Sequence, residues 1–435
     1  MAVPKINVIT LGCPKNDVDT EVLLAQLRAN RASVVEDGSA ADIAVINTCG
    51  FIEAAKKESI DAIAEALQAK KEGRYKKVVV MGCLAQRYRQ ELLEELPDID
   101  GMFGANQVGE VVRGLGFDLK RELLGERYLT TPPHLAYLKI SEGCDRPCSF
   151  CAIPLMRGSH RSRPLEEISA EAQALARRGV REIVLIAQDT TFYGLDRYGR
   201  RRLEDLLEAV AGIEDLRWIR LMYAYPAGFP KEILRVYQSQ PSLCRYLDLP
   251  LQHIADPVLR SMRRGITAEG TRQLLDDIQS AVPDIALRTT FIVGYPNESD
   301  DDFRLLYDFV RERKFHRLGV FTYSQESGTA SDVLGDPIAA ELKEERRGAL
   351  MELQQQVSEE RNSSLVGSVV KVLIDRVEDG VAVGRTEWDA PEVDQEVHVA
   401  PVRGILPGDF CSVRIMDAAE YDLFGEVTGH GGEGV

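Results

Sequence analysis

The chain has 435 residues, 44% hydrophobic and 28% charged, which at roughly 100 to 200 residues per domain describes about three soluble globular domains. Its 69 acidic and 53 basic side chains leave a formal charge of −16. That balance argues against a protein that wraps phosphate backbones or anionic lipid with its whole surface, because such binding draws on Lys and Arg. No apolar run approaches the roughly 18 residues of a membrane span, and residues 1–12 lack the features of a secretory leader, so a cytoplasmic location away from membranes is expected.

Residues 5–12, 41–51 and 76–84 are apolar runs that alternate with helical stretches such as 53–71. In that helix Ala54, Ile60, Ile63, Ala64 and Leu67 form a stripe at spacings of three and four. Continuous apolar strands separated by helices predict an open parallel sheet covered on both faces. Thr130, Thr131, Pro132 and Pro133 break the pattern and read as a linker. The alternation then resumes with six strand-like runs, at 137–143, 182–189, 218–225, 246–252, 287–295 and 318–324. That is too few for a full eight-stranded barrel and suits a partial (βα)6 one. A long polar helix over 339–362 carries Leu342, Leu350, Leu353 and Val357 on one side. Short β-rich runs at 369–374, 381–384, 396–399 and 410–416 then predict a small antiparallel β-barrel. The expected fold class is α/β, with domains over 1–128, 134–365 and 366–435.

Eight cysteines in a reducing compartment are either buried small apolar residues or ligands. Cys144, Cys148 and Cys151, spaced CxxxCxxC directly after the first central strand, have no second pair nearby to complete a zinc site. Three close thiolates suit an iron–sulfur cluster with one iron left open, since such clusters normally take four. Cys13, Cys49 and Cys83 each end a predicted strand, and in a parallel sheet those ends share one edge. Spacing alone leaves two readings open for them, a shared ligand site and ordinary burial. Gly12, Gly50 and Gly82 beside them favour close backbone approach to a bulky ligand. Cys244 and Cys411 lack partners and read as structural, and His134, His316, His398 and His430 have no metal-like spacing.

The CxxxCxxC loop resembles that of the radical S-adenosyl-L-methionine (SAM) superfamily. The resemblance implies a 4Fe-4S cluster whose open iron is chelated by SAM, with Phe150 against the adenine, and reductive cleavage of SAM to a 5′-deoxyadenosyl radical that takes hydrogen from an unactivated carbon. TLGCPKN, INTCGFIEAAKKES, MGCLAQRY, YLKISEGCDRPCSFCAIPLMRG, YLDLPLQH and LRTTFIVGYPNE are together similar to the methylthiotransferase family over essentially the whole chain. This implies a second, auxiliary 4Fe-4S cluster on Cys13, Cys49 and Cys83 that delivers sulfur, the SAM cluster on Cys144, Cys148 and Cys151, and a C-terminal TRAM domain that presents substrate. No catalytic side chain beyond the cluster ligands is expected. Gln188, Asp189, Gln252 and His253, at strand ends facing the barrel mouth, are candidate SAM contacts. Arg157 and Arg161, in a basic cluster with His160 and Arg163, are candidates for holding a substrate carboxylate.

One branch of the family modifies an adenosine derivative in transfer RNA and the other the β-carbon of an aspartate in small-subunit ribosomal protein twelve. Residues 366–435 carry five basic and fourteen acidic side chains, a balance of −9. Such a domain repels an RNA backbone and attracts a basic ribosomal protein. TLGCPKN, DLPLQH and DAPEVD also resemble the ribosomal-protein branch, and Trp388, Asp389, Glu392 and Asp394 are expected at the substrate surface. The expected product is 3-methylthioaspartate, with an electron donor as further partner and no direct transfer RNA substrate. A transfer RNA methylthiotransferase, a non-enzymatic iron–sulfur protein and a zinc-binding structural protein are the competing readings.

Overall fold

A computed structural model of the chain describes residues 4–35, 41–120, 127–399 and 404–430. The first domain is a sheet of β1 (Lys5–Thr10), β2 (Ser33–Val35), β3 (Ile43–Thr48), β4 (Lys77–Gly82) and β5 (Gly101–Met102) in the order β2-β1-β3-β4-β5. Every pairing is parallel. Both faces are covered, which is why β3 is buried along its whole length. Strand order reverses beside β1, the place where open sheets of this kind bind ligands. Helix α1 (Pro14–Ala29) starts there with Cys13 at its N-cap and Pro14 at its first position, where proline's missing N–H costs nothing.

Helix α2 (Glu53–Lys71) has the predicted bounds but a different buried face. Ile63 and Leu67 are buried as expected, whereas Ala54, Ile60 and Ala64 are exposed and Lys56 and Ser59 take their place. The cause is polar: Ser59 exchanges hydrogen bonds of 3.0 Å with the backbone N–H and C=O of Cys49, and Lys56 is ion-paired to Glu326 at 2.7 Å.

The central domain is a six-stranded parallel sheet of β6 (Leu135–Lys139), β9 (Glu182–Ile186), β10 (Trp218–Leu221), β11 (Leu243–Asp248), β12 (Ala286–Val293) and β13 (Arg317–Thr322), neighbours in sequence being neighbours in space. The six expected units are these six strands. A two-stranded ribbon of β7 (Ser141–Glu142) and β8 (Arg161–Ser162) flanks the cysteine loop. The helix Ala340–Ser364 lays Leu350, Leu353 and Val357 against the sheet, with Leu342 half-buried. Its Asn362 side chain donates to the carbonyls of Ala419 and Glu420 in the last domain.

The last domain is a closed barrel of β14 (Val369–Glu378), β15 (Val381–Arg385), β16 (Glu396–Val399), β17 (Phe410–Ala418) and β18 (Asp422–His430), in the order β14-β15-β16-β18-β17. Two features differ from expectation. The fifth strand, β18, carries no long apolar run, and its pairing with β16 is parallel, so the barrel is not purely antiparallel.

The three units share a core. Val18 of α1, barrel residues such as Tyr137, Trp218 and Tyr246, and Leu373 and Ala390 of the last domain pack in one buried cluster. The first domain covers the carboxyl ends of the barrel strands and the last covers their amino ends, where Phe410 meets Trp218 edge to face with centroids 5.1 Å apart. The 130–133 linker is fastened too: Thr130 donates its N–H to Glu21 at 2.9 Å. Among the described residues no helix is long and apolar enough to cross a membrane.

Candidate active site

Cys13, Cys49 and Cys83 lie just beyond the carboxyl ends of β1, β3 and β4. Parallel registry brings them together, and their thiols sense one another's charge. The flanking glycines admit neighbouring chain: a side chain at Gly12 (φ +103°) would meet the Cys49 Cβ at 2.6 Å, and one at Gly82 (φ +103°) the Thr48 carbonyl at 2.5 Å. The approach they permit includes that between neighbouring strand ends. Burial raises the Cys49 thiol and pushes Cys83 up to about 11.

Cys144, Cys148 and Cys151 occupy the loop after β7, which is stapled to the barrel. Cys144 N–H donates to Gly158 O at 3.1 Å, and Ser149 donates to the carbonyls of Met262 (N–H, 3.1 Å) and Ser261 (Oγ, 2.8 Å). Burial pushes Cys144 up to about 11 and Cys151 to about 12. Thiols in this state give up their protons only to a strong cation. Arg264 donates Nη1 to the Cys148 Sγ at 3.2 Å and stacks on Tyr225, whose ring also faces the Arg146 guanidinium and whose hydroxyl lies 3.5 Å from the Cys148 sulfur. Among the described residues no three His, Cys, Asp or Glu groups are close enough to hold a single metal ion. A cubane presents its irons at separate corners, so its ligands stand further apart than those of one zinc. Three thiols per set, buried at Cys49 and Cys83 and half-buried at the other four, each set with an arginine N–H on one sulfur, fit a cluster at either place.

The two sets face each other across one buried polar seam. Arg157, six residues after Cys151, donates Nε to the Cys83 Sγ at 3.2 Å, Nη1 to Asp19 at 2.7 Å and to Glu142 at 3.2 Å, and Nη2 to Asn16 at 2.6 Å. Lys139 ties the same two carboxylates, at 2.5 and 2.7 Å. Burial would raise Glu142, but Lys139 and Arg157 hold it down to about 2. Arg157 is therefore not available to a substrate carboxylate, a correction to the sequence expectation: its valences are filled from α1 and β7. Arg161 is exposed and lines a cavity of about 310 Å³ with Gln86, Asn106, Glu142 and Leu155. His160 is buried on Ser162 (3.1 Å), and Arg163 pairs with Glu171 (2.6 Å). On the far side of the mouth, Glu326 is clamped between Lys56 and Arg87, each at 2.7 Å.

The strand-end candidates separate. Phe150 is half-buried against Ala255, Val258, Met262, Tyr295 and Tyr323. Gln188 donates to Glu142 at 2.8 Å and, like Gln252 (φ +74°), keeps a buried side-chain carbonyl without a partner. Asp189 is buried on Arg146 at 2.6 Å. His253 is fully buried: its Nδ1 accepts from Ala255 N–H at 3.0 Å and its Nε2 lies 3.5 Å from Glu298, so it stands behind the mouth without reaching into it.

The acidic run of the last domain is also placed differently from expectation. Asp389 is fully buried, accepting from Arg317 Nε at 2.8 Å and Thr386 Oγ1 at 2.6 Å. Asp394 accepts from Tyr246 OH at 2.8 Å and lies 3.4 Å from Arg288. Trp388 is half-buried between two core clusters. These three are not a free substrate surface, because barrel arginines that charge counting assigns to another domain neutralise the run. Only Glu392 stays exposed, at φ +68° and 3.5 Å from Tyr137 OH.

Sequence reasoning missed Asp17, whose carboxyl is pushed up to about 7 by burial and then by Glu392, Glu21 and Asp19. In the unfolded chain it titrates near 3.9, so its cost to the fold grows from about pH 4 to about pH 7 and is complete above that. Asp17→Asn is expected to raise the unfolding midpoint more at about pH 8 than at about pH 5. Equal shifts at both would contradict this assignment. Arg264, Tyr225 and Glu326 were missed as well and carry no local signal. Lys15 lies within TLGCPKN and Asp17 directly follows it, which could have flagged both.

Comparisons agree with this architecture. Residues 138–310 match the family model described as the radical SAM superfamily, residues 5–104 that of uncharacterized protein family UPF0004, and residues 366–428 that of the TRAM domain. The fold resembles two solved enzymes. One is the radical SAM methyltransferase TsrM from Kitasatospora setae (TM-score 0.53, 14% identity, 93% of this chain and 84% of that one). The other is the cobalamin-dependent SAM radical enzyme OxsB (TM-score 0.53, 13% identity, 80% of this chain), of whose length this chain spans 56%. The fold and its cysteine loop define a radical SAM protein. Two relatives narrow this further: the chain is 52% identical to ribosomal protein uS12 methylthiotransferase RimO of Flavobacterium johnsoniae over 97% of this chain and 98% of that one, and 51% identical to the RimO of Chloroherpeton thalassium over 98% of each. The chain belongs to the RimO family of radical SAM methylthiotransferases.

Proposed function

We propose that this chain transfers a methylthio group to the β-carbon of an aspartate in ribosomal protein uS12, giving 3-methylthioaspartate in the cytoplasm. Cys144, Cys148 and Cys151 would hold a 4Fe-4S cluster that binds SAM, and Cys13, Cys49 and Cys83 a second one. When bound, the first supplies an electron for SAM cleavage and the second supplies sulfur, with an external one-electron donor as partner. The observation that carries this reading is Arg157, which leaves the SAM-side loop and ends on the Cys83 sulfur at 3.2 Å. Arg157 thereby ties the stretch after one cysteine set to a sulfur of the other.

The chain's own residues join the two domains that carry these sets. Lys139, Glu142, Arg157, Asp19 and Asn16 fix α1 to the barrel on one side, and Lys56, Arg87 and Glu326 do so on the other. Phe150, Gln188 and Gln252, the last two each with an unused carbonyl, would meet SAM. The loop 386–394 packs Ala390 and Trp388 against inner barrel residues such as Tyr137, Trp218 and Tyr246, which helps to keep water out of the barrel. The test is competition between purified uS12 and transfer RNA for the reconstituted enzyme, read by mass spectrometry. A methylthio group on one aspartate of uS12 supports the proposal, and preferential modification of RNA overturns it.

A further inference from the structure

We infer that Lys15 recognises the target residue by binding its side-chain carboxylate, a reading that rests on the function proposed above and names the group that selects the substrate. Lys15 is two residues beyond Cys13, in the first turn of α1, and only 8% of its surface is exposed. Its ammonium lies 3.1 Å from the ring centroid of Tyr223 and has no hydrogen bond or ion pair among the described residues. The other buried lysines all have anions: Lys56 has Glu326 and Lys343 has Asp336. A buried cation without an anion is costly, and an aromatic face compensates for only part of the loss.

The neighbouring carboxylates do not fill the gap. Asp19 is taken by Lys139 and Arg157, and Glu21 by Arg127 and Thr130. The charges that act on Asp17 are all carboxylates. Lys15 is therefore a cation held ready beside the auxiliary cysteines with its anion missing. Its Nζ is not among the sealed polar atoms without partners, so the ammonium remains reachable.

Tyr223 is the second half of the device. It follows β10 at the barrel mouth and is held at φ +60°, a conformation that a bulky aromatic residue rarely adopts. Its N–H donates to Asp248 Oδ2 at 3.0 Å and its carbonyl accepts from Thr190 N–H at 3.0 Å. Strain of this kind persists only where the surroundings impose it, and it clusters at functional sites. The ring is thus a fixed platform that aims Lys15 at the mouth. An aspartate side chain carries its carboxylate directly on the β-carbon, so anchoring that anion places the reacting carbon one bond away. A nucleic-acid base has no such anion beside its reacting carbon.

The test uses a uS12 peptide with its target aspartate, and the same peptide with asparagine, on wild-type enzyme and on Lys15→Met and Lys15→Arg, each rate divided by the iron content of its own preparation. Wild type should prefer the aspartate peptide in kcat/KM by about tenfold or more, the scale of one charge-assisted hydrogen bond. Lys15→Met should lose that preference, mainly through KM, and Lys15→Arg should keep most of it. Retention of the preference in Lys15→Met overturns the inference while leaving the function standing. A wild type that modifies RNA and neither peptide overturns the function itself. Should Lys15→Met fail to fold, peptide binding to wild type decides: equal affinity for both peptides also overturns the inference.

Discussion

In Cys148→Ala, about four of the roughly eight irons that two cubanes would bring should be lost, and reductive SAM cleavage should fall to background. The expectation rests on the separateness of the two sets. Cys148 belongs to the loop stapled to the barrel by Ser149 and touched by Arg264, whereas Cys13, Cys49 and Cys83 hang from a different sheet with its own core clusters. Removing one thiol should leave the other set able to bind iron. Cys83→Ala should show the complement, retained SAM cleavage with no methylthiolated product, because the sulfur-delivering side is then broken. Cys244 and Cys411, each 1% exposed within apolar clusters, should be replaceable without loss of iron. Iron and sulfide analysis, electron paramagnetic resonance and assay of SAM cleavage check all four. Zinc in place of iron, or loss of both sets together in either single variant, would refute the assignment.

The parts legible in the sequence are those with a local signature. Six apolar strand runs are six strands, because a parallel sheet buried on both faces needs continuous apolar stretches. Three cysteines at strand ends and three in the CxxxCxxC loop stand out from spacing and family resemblance, and the fold keeps them as two groups. What failed was long-range. Arg157 sits in a visibly basic stretch, and nothing nearby reveals that Asp19 and Glu142 will claim it. The DAPEVD run reads as solvated acid, yet Arg317 and Arg288 turn it into a buried domain seam. In α2 the apolar stripe was misplaced because the helix faces a polar junction as well as a core, so Lys56 and Ser59 are buried on purpose of pairing. Charge counted along the chain gives the last domain −9 of the net −16. Partners from the central domain remove part of that excess, so attraction of a basic protein rests on the carboxylates left exposed, Glu392 among them.

Glu182→Gln should destabilise the chain by about 3 to 5 kcal/mol, the range for breaking a buried charge pair by removing one partner. Glu182 opens β9 and is fully buried. It accepts from Arg220 Nε at 2.9 Å and from Arg385 Nη2 at 2.8 Å, the latter arriving from the last domain. Without the carboxylate two buried guanidiniums face each other, and the contact that seats β15 under the barrel becomes repulsive. Arg385→Leu should cost less, since Glu182 keeps Arg220 and Asp375 keeps His134 at 3.0 Å. Acid should reveal the same pair. Burial alone would raise Glu182, but Arg385 and Arg220 outweigh it and hold the carboxyl below the usual carboxylate range. A folded-state value below the unfolded one, near 4.3, contributes stability that is present above that pH and lost as pH falls through the folded value. Wild type should therefore lose unfolding midpoint on acidification below about pH 4, and Glu182→Gln should lose less over the same interval because its share is already gone. Thermal unfolding of both proteins as pH is lowered measures the difference, and parallel curves would show that Glu182 does not titrate with folding. A seam held by charges this deeply buried acts as a fixed joint between the barrel and the last domain, and so holds the 386–394 loop that the last domain packs against the inner barrel residues.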